Sequence, residues 1–342
     1  MRMKQLAVLL AICIDQNLPV LITGAPGIGK SDAVTAAAAA AHADLIISHP
    51  VVADPTDVKG LPWPNKDTET ATFLPYGDLA KALSATKRTV WFIDDLGQAT
   101  PAVQAAFMQL FLARQVNGHK LPDHIVFMAA TNRRTDRASV QGIIEPVKSR
   151  FATIVELEAS INDWSEWAIS RNLPPEPIAF LRFRPELLHD FKATADMTNS
   201  PCPRTWAYVG RLMAAQLPAT IEFEAYKGAV GEGAATELMS FIKTYRDLPN
   251  LDQILVNPDG AVIPSEPSAL FAVATGLATK ANVHTADRVF RYAERMMDAG
   301  HGEHGVLLVR DAIKRDDTIQ HTAGYLRLAV GPVGQAIEGI AA

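Results

Sequence analysis

Residues 24–31 read Gly24-Ala25-Pro26-Gly27-Ile28-Gly29-Lys30-Ser31, a full match to the pattern G-x-x-x-x-G-K-[ST]. The flanks give the stretch its meaning. Residues 19–23 (PVLIT) have the composition of a short buried strand, and residues 31–42 are an alanine-rich run of strong helix formers. Glycines between a strand and a helix let backbone N–H groups curl around phosphate, and the helix N-terminus adds partial positive charge. Lys30 is expected to reach the β- and γ-phosphates, and the Ser31 hydroxyl to coordinate Mg2+. The expected nucleotide-binding set is Gly24, Ala25, Pro26, Gly27, Ile28, Gly29, Lys30, Ser31 and the adjacent Asp32.

Further short apolar strands follow at residues 45–48, 89–93 (TVWFI), 124–130 (HIVFMAA) and 153–157, with helical spacing at residues 5–15 and 101–112. Strands alternating with helices predict an α/β fold whose mostly parallel sheet is covered on both faces. The carboxyl ends of such strands border the ligand crevice. One strand ends in Asp94-Asp95: Asp94 is expected to bind Mg2+ and Asp95 to polarise an attacking water. Another ends in Thr131-Asn132, where Asn132 is expected to hold that water or the γ-phosphate. Aspartate and asparagine also serve as plain turn residues, so position relative to the glycine motif carries the argument.

Taken together, these residues resemble the AAA+ ATPase family and, within it, the MoxR group. Residues 24–31 look like Walker A, residues 89–95 like Walker B and Thr131-Asn132 like the first sensor. Further similar segments are Asp54-Pro-Thr-Asp57-Val-Lys-Gly60, Gln104-Ala-Ala-Phe-Met and Arg114-Gln-Val-Asn-Gly118. The run Ile144-Glu-Pro-Val-Lys-Ser-Arg150-Phe resembles the segment ending in an arginine finger, which enters a neighbouring subunit's site. Ser200-Pro-Cys-Pro-Arg204 resembles the start of a lid helix with the second sensor arginine. The resemblance implies ATP and Mg2+ as cofactors and a ring, most simply a homo-hexamer. It further implies a VWA-domain partner and a protein client. Asp95 stands where the family has Glu, which implies slow hydrolysis and keeps open an ATP-gated scaffold. Gly97-Gln98 replaces the group's Asn-Arg.

Past residue 160 strand signals fade, and tryptophans (Trp164, Trp167, Trp206) and proline breaks mark a helical region. The expected organisation is an AAA+ α/β P-loop NTPase domain at 1–158, a helical lid at 159–246 and a C-terminal helical extension at 247–342. Two turn-rich insertions, residues 63–73 and 116–119, are candidates for a ring's pore or for ordinary surface hairpins. Arg133, Arg134 and Arg137 form a basic cluster that is placed to reach a partner subunit but reads rather as a solvated loop. His301 and His304, flanked by glycines, read as a loop without a third metal ligand.

Composition bounds the rest. The chain's 342 residues are 48% hydrophobic and 20% charged, which excludes a disordered or collagen-like protein. Thirty-two Lys+Arg against 37 Asp+Glu give a net charge of -5. That balance argues against coating nucleic acid by bulk charge and disfavours a DNA-remodelling motor. Cys13 and Cys202 cannot make a disulfide framework, so a reducing cytoplasm fits. The best apolar segment, residues 6–14, is too short for a bilayer.

Overall fold

A computed structural model describes residues 1–341 except 66, 68, 69, 137–141, 193–195, 247 and 249. It divides into two compact units, Met1–Ala159 and Ser160–Ala342.

The first unit is built on strands whose successive side chains point to opposite faces. Its strands are β1 (Val20–Thr23), β2 (Asp44–Ser48), β3 (Leu61–Asn65), β4 (Thr70–Leu74), β5 (Thr89–Ile93), β6 (Gln115–Val116), β7 (His119–Lys120), β8 (Ile125–Thr131) and β9 (Thr153–Glu156). Five of them form one parallel sheet in the order β2-β5-β8-β1-β9. Its helices are α1 (Met3–Asp15), α2 (Lys30–Ala40), α3 (Pro55–Lys59), α4 (Gly77–Leu83), α5 (Pro101–Ala113) and α6 (Glu145–Lys148). Val20, Ile22, Val90, Phe92, Val126 and Met128 bury against Leu6, Leu10 and Ile14 of α1 and Val34 and Ala38 of α2. The alternate residues Leu21, Trp91, Ile93 and Phe127 bury on the other face with Val58 of α3, Leu79 of α4 and Phe107 and Phe111 of α5. Every residue of β5 and β8 is therefore buried, which is why both read as continuous apolar runs. The chain leaves β1 for the far edge at β2, returns through β5 and β8, and then passes to β1's other side at β9. That reversal puts a crevice at the carboxyl end of β1.

Both insertions are antiparallel hairpins, β3–β4 and β6–β7. In the second, Asn117 (φ 48°) and Gly118 (φ 84°) both take positive φ, as a tight two-residue turn requires. Asn117 Nδ2 donates to the Lys59 carbonyl (2.8 Å) and His119 Nε2 to that of Phe73 (2.7 Å), so the turn of the second hairpin is tied to the base of the first. The Asp54–Asp57 stretch is a capping box: the Asp54 carboxylate accepts from Thr56 N (2.9 Å) and Asp57 from Asp54 N (2.7 Å). Gly60 follows at φ 88°, where a Cβ would lie 2.9 Å from the Leu74 carbonyl oxygen.

The second unit is helical: α7 (Ile161–Ser170), α8 (Pro175–Phe183), α9 (Pro203–Ala214), α10 (Ala219–Val230), α11 (Glu232–Arg246), α12 (Leu251–Val256), α13 (Pro267–Ala278), α14 (Ala286–Asp298), α15 (Gly302–Arg315), α16 (Ala323–Val330) and α17 (Pro332–Ala341). Trp164, Phe180, Trp206, Tyr226 and Phe241 centre one core, and Phe290, Tyr292, Met296 and Leu308 another. Helix α13 serves both, giving Ala272 to the first and Val273, Ala274 and Leu277 to the second. A buried bidentate pair, Arg182 with Asp311 (2.5 and 2.8 Å), joins α8 to α15. His304 corrects the loop reading: it lies in the first turn of α15, edge-on to Phe271 with ring centroids 4.5 Å apart. Among the described residues no three His, Cys, Asp or Glu converge as a metal site, and no helix is long and apolar enough to cross a membrane.

Candidate active site

Helix α2 begins at Lys30, and the loop before it turns on three glycines with positive φ: Gly24 (155°), Gly27 (72°) and Gly29 (97°). At Gly24 a Cβ would sit 2.5 Å from Ile28 Cδ1 and 2.8 Å from the Leu157 carbonyl oxygen, so glycine is the residue that fits. Ala25 and Ile28 are buried and anchor the loop to the sheet. The N-terminus of α2 carries the partial positive charge that suits an anion. Asp32 lies in that turn with an exposed side chain.

Lys30 is 7% exposed, and its ammonium donates to the carbonyls of Gly24 and Ala25 (both 2.9 Å) and to Asn132 Oδ1 (2.7 Å). Ser31 Oγ donates to Asp94 Oδ2 at 2.6 Å. The other Asp94 oxygen accepts from Asp95 N (3.0 Å), and Asp94 N donates to the Ser48 carbonyl (2.9 Å). Asn132 Nδ2 donates to Asp95 Oδ1 at 3.2 Å. Five expected residues from β1–α2, β5 and β8 thus meet at the carboxyl end of the sheet. The set combines one buried cation, hard oxygen donors and an amide, which suits a nucleotide phosphate with Mg2+. Asp95 sits at φ 55°, ψ 35°, a left-handed conformation that Asp tolerates through its short polar side chain.

Arg150 stands elsewhere. Ala152 N donates to the Pro19 carbonyl, so Arg150 precedes the amino end of β9, whereas the glycine loop follows the carboxyl end of β1. Pro19 to Gly24 is five residues of extended chain, about 16 Å. Arg150 Nη1 donates to Ser149 Oγ (2.8 Å), and its buried Nε has no hydrogen-bond partner among the described residues. Arg204 belongs to the second unit, exposed in the first turn of α9.

Arg133 is not a free surface cation. It holds Asp136 by two hydrogen bonds (3.0 and 2.9 Å) and Glu156 by one (2.9 Å), and Asp136 foremost raises its pKa above the ordinary value. Arg137 lies outside the described residues. Sequence reasoning gave no role to Gln104, which is fully buried and hydrogen-bonded on both sides of its amide. A glutamine on the apolar stripe Val103–Phe107–Phe111 was the available signal, because a buried amide needs partners.

Residues 20–159 match the model of the ATPase family associated with various cellular activities (AAA). This segment is an AAA ATPase domain. AAA domains belong to a family of ATP-hydrolysing enzymes, and the fold around this one is that of AAA+ P-loop NTPases. Among solved structures, the chain is similar to the RuvB Holliday junction branch migration motor of Thermotoga maritima, at 17% identity, 87% of this chain, 86% of that one and TM-score 0.39. It is also similar to NtrX from Brucella abortus in complex with ATP, at 13% identity, 99% of this chain, 68% of that one and TM-score 0.44. Likenesses at these scores say nothing about what the AAA domain acts on. A search of curated proteins finds no match.

Proposed function

We propose that this protein is a MoxR-type AAA+ ATPase that works as a homo-hexameric ring, coupling Mg-ATP hydrolysis to remodelling of a protein client with a VWA-domain partner. One observation carries the ATPase reading: Lys30, Ser31, Asp94, Asp95 and Asn132 converge beside a glycine loop at a helix N-terminus. Lys30 and the loop N–H groups bind the phosphates, with residues 24–32 as the nucleotide cradle. Ser31 and Asp94 would hold Mg2+, which when bound would neutralise phosphate charge. Asn132 orients a water, and Asp95 accepts its proton.

Arg150 lies at the amino end of the sheet, opposite its own glycine loop at the carboxyl end, which supports its being the residue one copy lends to the next. Arg204 is the second sensor of a lid at 159–246, and the extension at 247–342 braces it. The two cores sharing α13 and the Arg182–Asp311 pair support that bracing. Net acidity favours a protein client over nucleic acid, and a cytoplasmic setting fits the two free cysteines.

The test is phosphate release by the purified chain, alone and with Arg150→Ala and Asp94→Ala subunits mixed. Each mutant alone should be nearly inactive, and the mixture should regain activity because intact composite sites form between copies. A fully active Arg150→Ala protein refutes the ring reading. ATP binding without turnover, even with a VWA-domain partner present, supports an ATP-gated scaffold instead.

A further inference from the structure

Three hydrogen bonds converge on the amide of Gln104, which is 0% exposed on α5. Its Nε2 donates to the carbonyls of Ala99 (3.1 Å) and Gly142 (2.9 Å), and its Oε1 accepts from Ile144 N (3.0 Å). Gly142 N in turn donates to the Gly97 carbonyl (3.2 Å). Gly97 belongs to the turn Leu96–Gln98, whose first flanking residue is Asp95, and Ile144 is the N-cap of α6, just ahead of Arg150. One short relay therefore runs from the turn carrying Asp95, through Gly97, Gly142 and Gln104, to the element carrying Arg150.

A second anchor, apolar, holds the same element. Val147 and Phe151 are buried in the core with Phe111 of α5, and the Phe111 and Phe151 rings lie 5.2 Å apart. Apolar contact is non-directional and fixes depth better than register. The directional bonds of Gln104 fix register. We infer that Gln104 is a positioning residue for Arg150, setting the reach with which one subunit serves its neighbour's nucleotide site. The inference rests on the trans role proposed for Arg150. It gives the Asp95 turn of each subunit a physical connection to the arginine that subunit lends out.

Gln104→Met fills the same space and deletes all three bonds. Its rings should bind a fluorescent ATP analogue within about twofold of wild type, since the subunit's own cradle is untouched, while kcat falls about a hundredfold, as expected for a misplacement near 1 Å. Mixed rings separate positioning from general damage. Gln104→Met mixed with Lys30→Ala should regain activity, because the Lys30→Ala subunit lends a well-placed Arg150 to an intact cradle. Gln104→Met mixed with Arg150→Ala should stay inactive, because both lack a working arginine.

Arg150→Ala with Lys30→Ala is the control. If that pair fails to complement, the trans reading falls and this inference with it. If it complements but Gln104→Met also complements Arg150→Ala, or keeps wild-type kcat, the role of Gln104 is refuted alone. Should Gln104→Met not fold, Gln104→Glu, which keeps the acceptor for Ile144 N, goes through the same mixtures with the same expected pattern.

Discussion

Lys30 Nζ donates to Asn132 Oδ1 at 2.7 Å, joining the lysine of the glycine loop to the amide at the tip of β8. The same amide donates to Asp95 Oδ1 at 3.2 Å, so Asn132 links the phosphate-binding cation to the proposed catalytic carboxylate. A phosphate drawn to Lys30 competes with Asn132 for that ammonium. Asn132→Ala should therefore leave ATP affinity unchanged or slightly tighter while turnover falls about a hundred- to a thousandfold, the scale of losing one organised donor. Equilibrium titration beside steady-state kinetics checks both signs.

Lys30→Ala acts on the other end of that bond. A hydrogen bond to a charged partner contributes about 1.5–3 kcal/mol, so nucleotide affinity should drop by about ten- to a hundredfold. Unchanged affinity in a fluorescent-nucleotide titration means that residues 24–31 do not cradle phosphate.

At Asp95 the backbone decides which substitution is clean. Its left-handed φ of 55° suits Asn as well as Asp, so Asp95→Asn should melt near the wild-type temperature and bind ATP, yet barely turn over. Asp95→Glu lengthens the carboxylate but loses the local preference for a short polar side chain, at about 1 kcal/mol of stability. Basal turnover of the wild type should be slow, because the Asp carboxylate reaches less far than Glu, and Asp95→Glu should raise it despite the lower melting point. Equal turnover by wild type and Asp95→Asn removes Asp95 from the chemistry.

Gly24→Ala introduces a methyl 2.5 Å from Ile28 Cδ1 and 2.8 Å from the Leu157 carbonyl oxygen. Ile28 can shift and the carbonyl cannot without moving backbone. Overpacking of this kind costs about 1–3 kcal/mol, so the variant should melt lower and bind ATP more weakly. Thermal melts with and without Mg-ATP separate the two losses.

His304 makes stability depend on pH. Burial foremost, and then nearby His301, lowers its pKa below the ordinary 6.5, against a smaller raising effect of Glu303. The unfolded chain then binds the proton more readily than the folded one, so stability is lost as pH falls through 6.5 toward the folded value. Melting temperature should decline below that pH, and His304→Leu should flatten the decline.

The α/β layout was legible because β1, β5 and β8 are buried on both faces and so read as unbroken apolar runs. Asp94, Asp95 and Asn132 were legible because ligand crevices open at strand ends. The ion pairs of Arg133 were not legible because its partners, Asp136 and Glu156, are set by how the segment after β8 meets the end of β9. The His301–His304 segment read as a loop on its glycines, but packing of His304 on Phe271 made it a helix start.

By itself the sequence determined the glycine loop and the strand ends beside it, because these follow from local backbone freedom and from burial periodicity. Tertiary structure alone decided the left-handed turn at Asp95, the tie between the hairpins through Asn117 and His119, and the clamp of Gln104 on Gly142 and Ile144. The two ties and the clamp join groups distant along the chain. A hydrogen bond depends on distance and direction, which sequence spacing does not encode until the strands have taken their order.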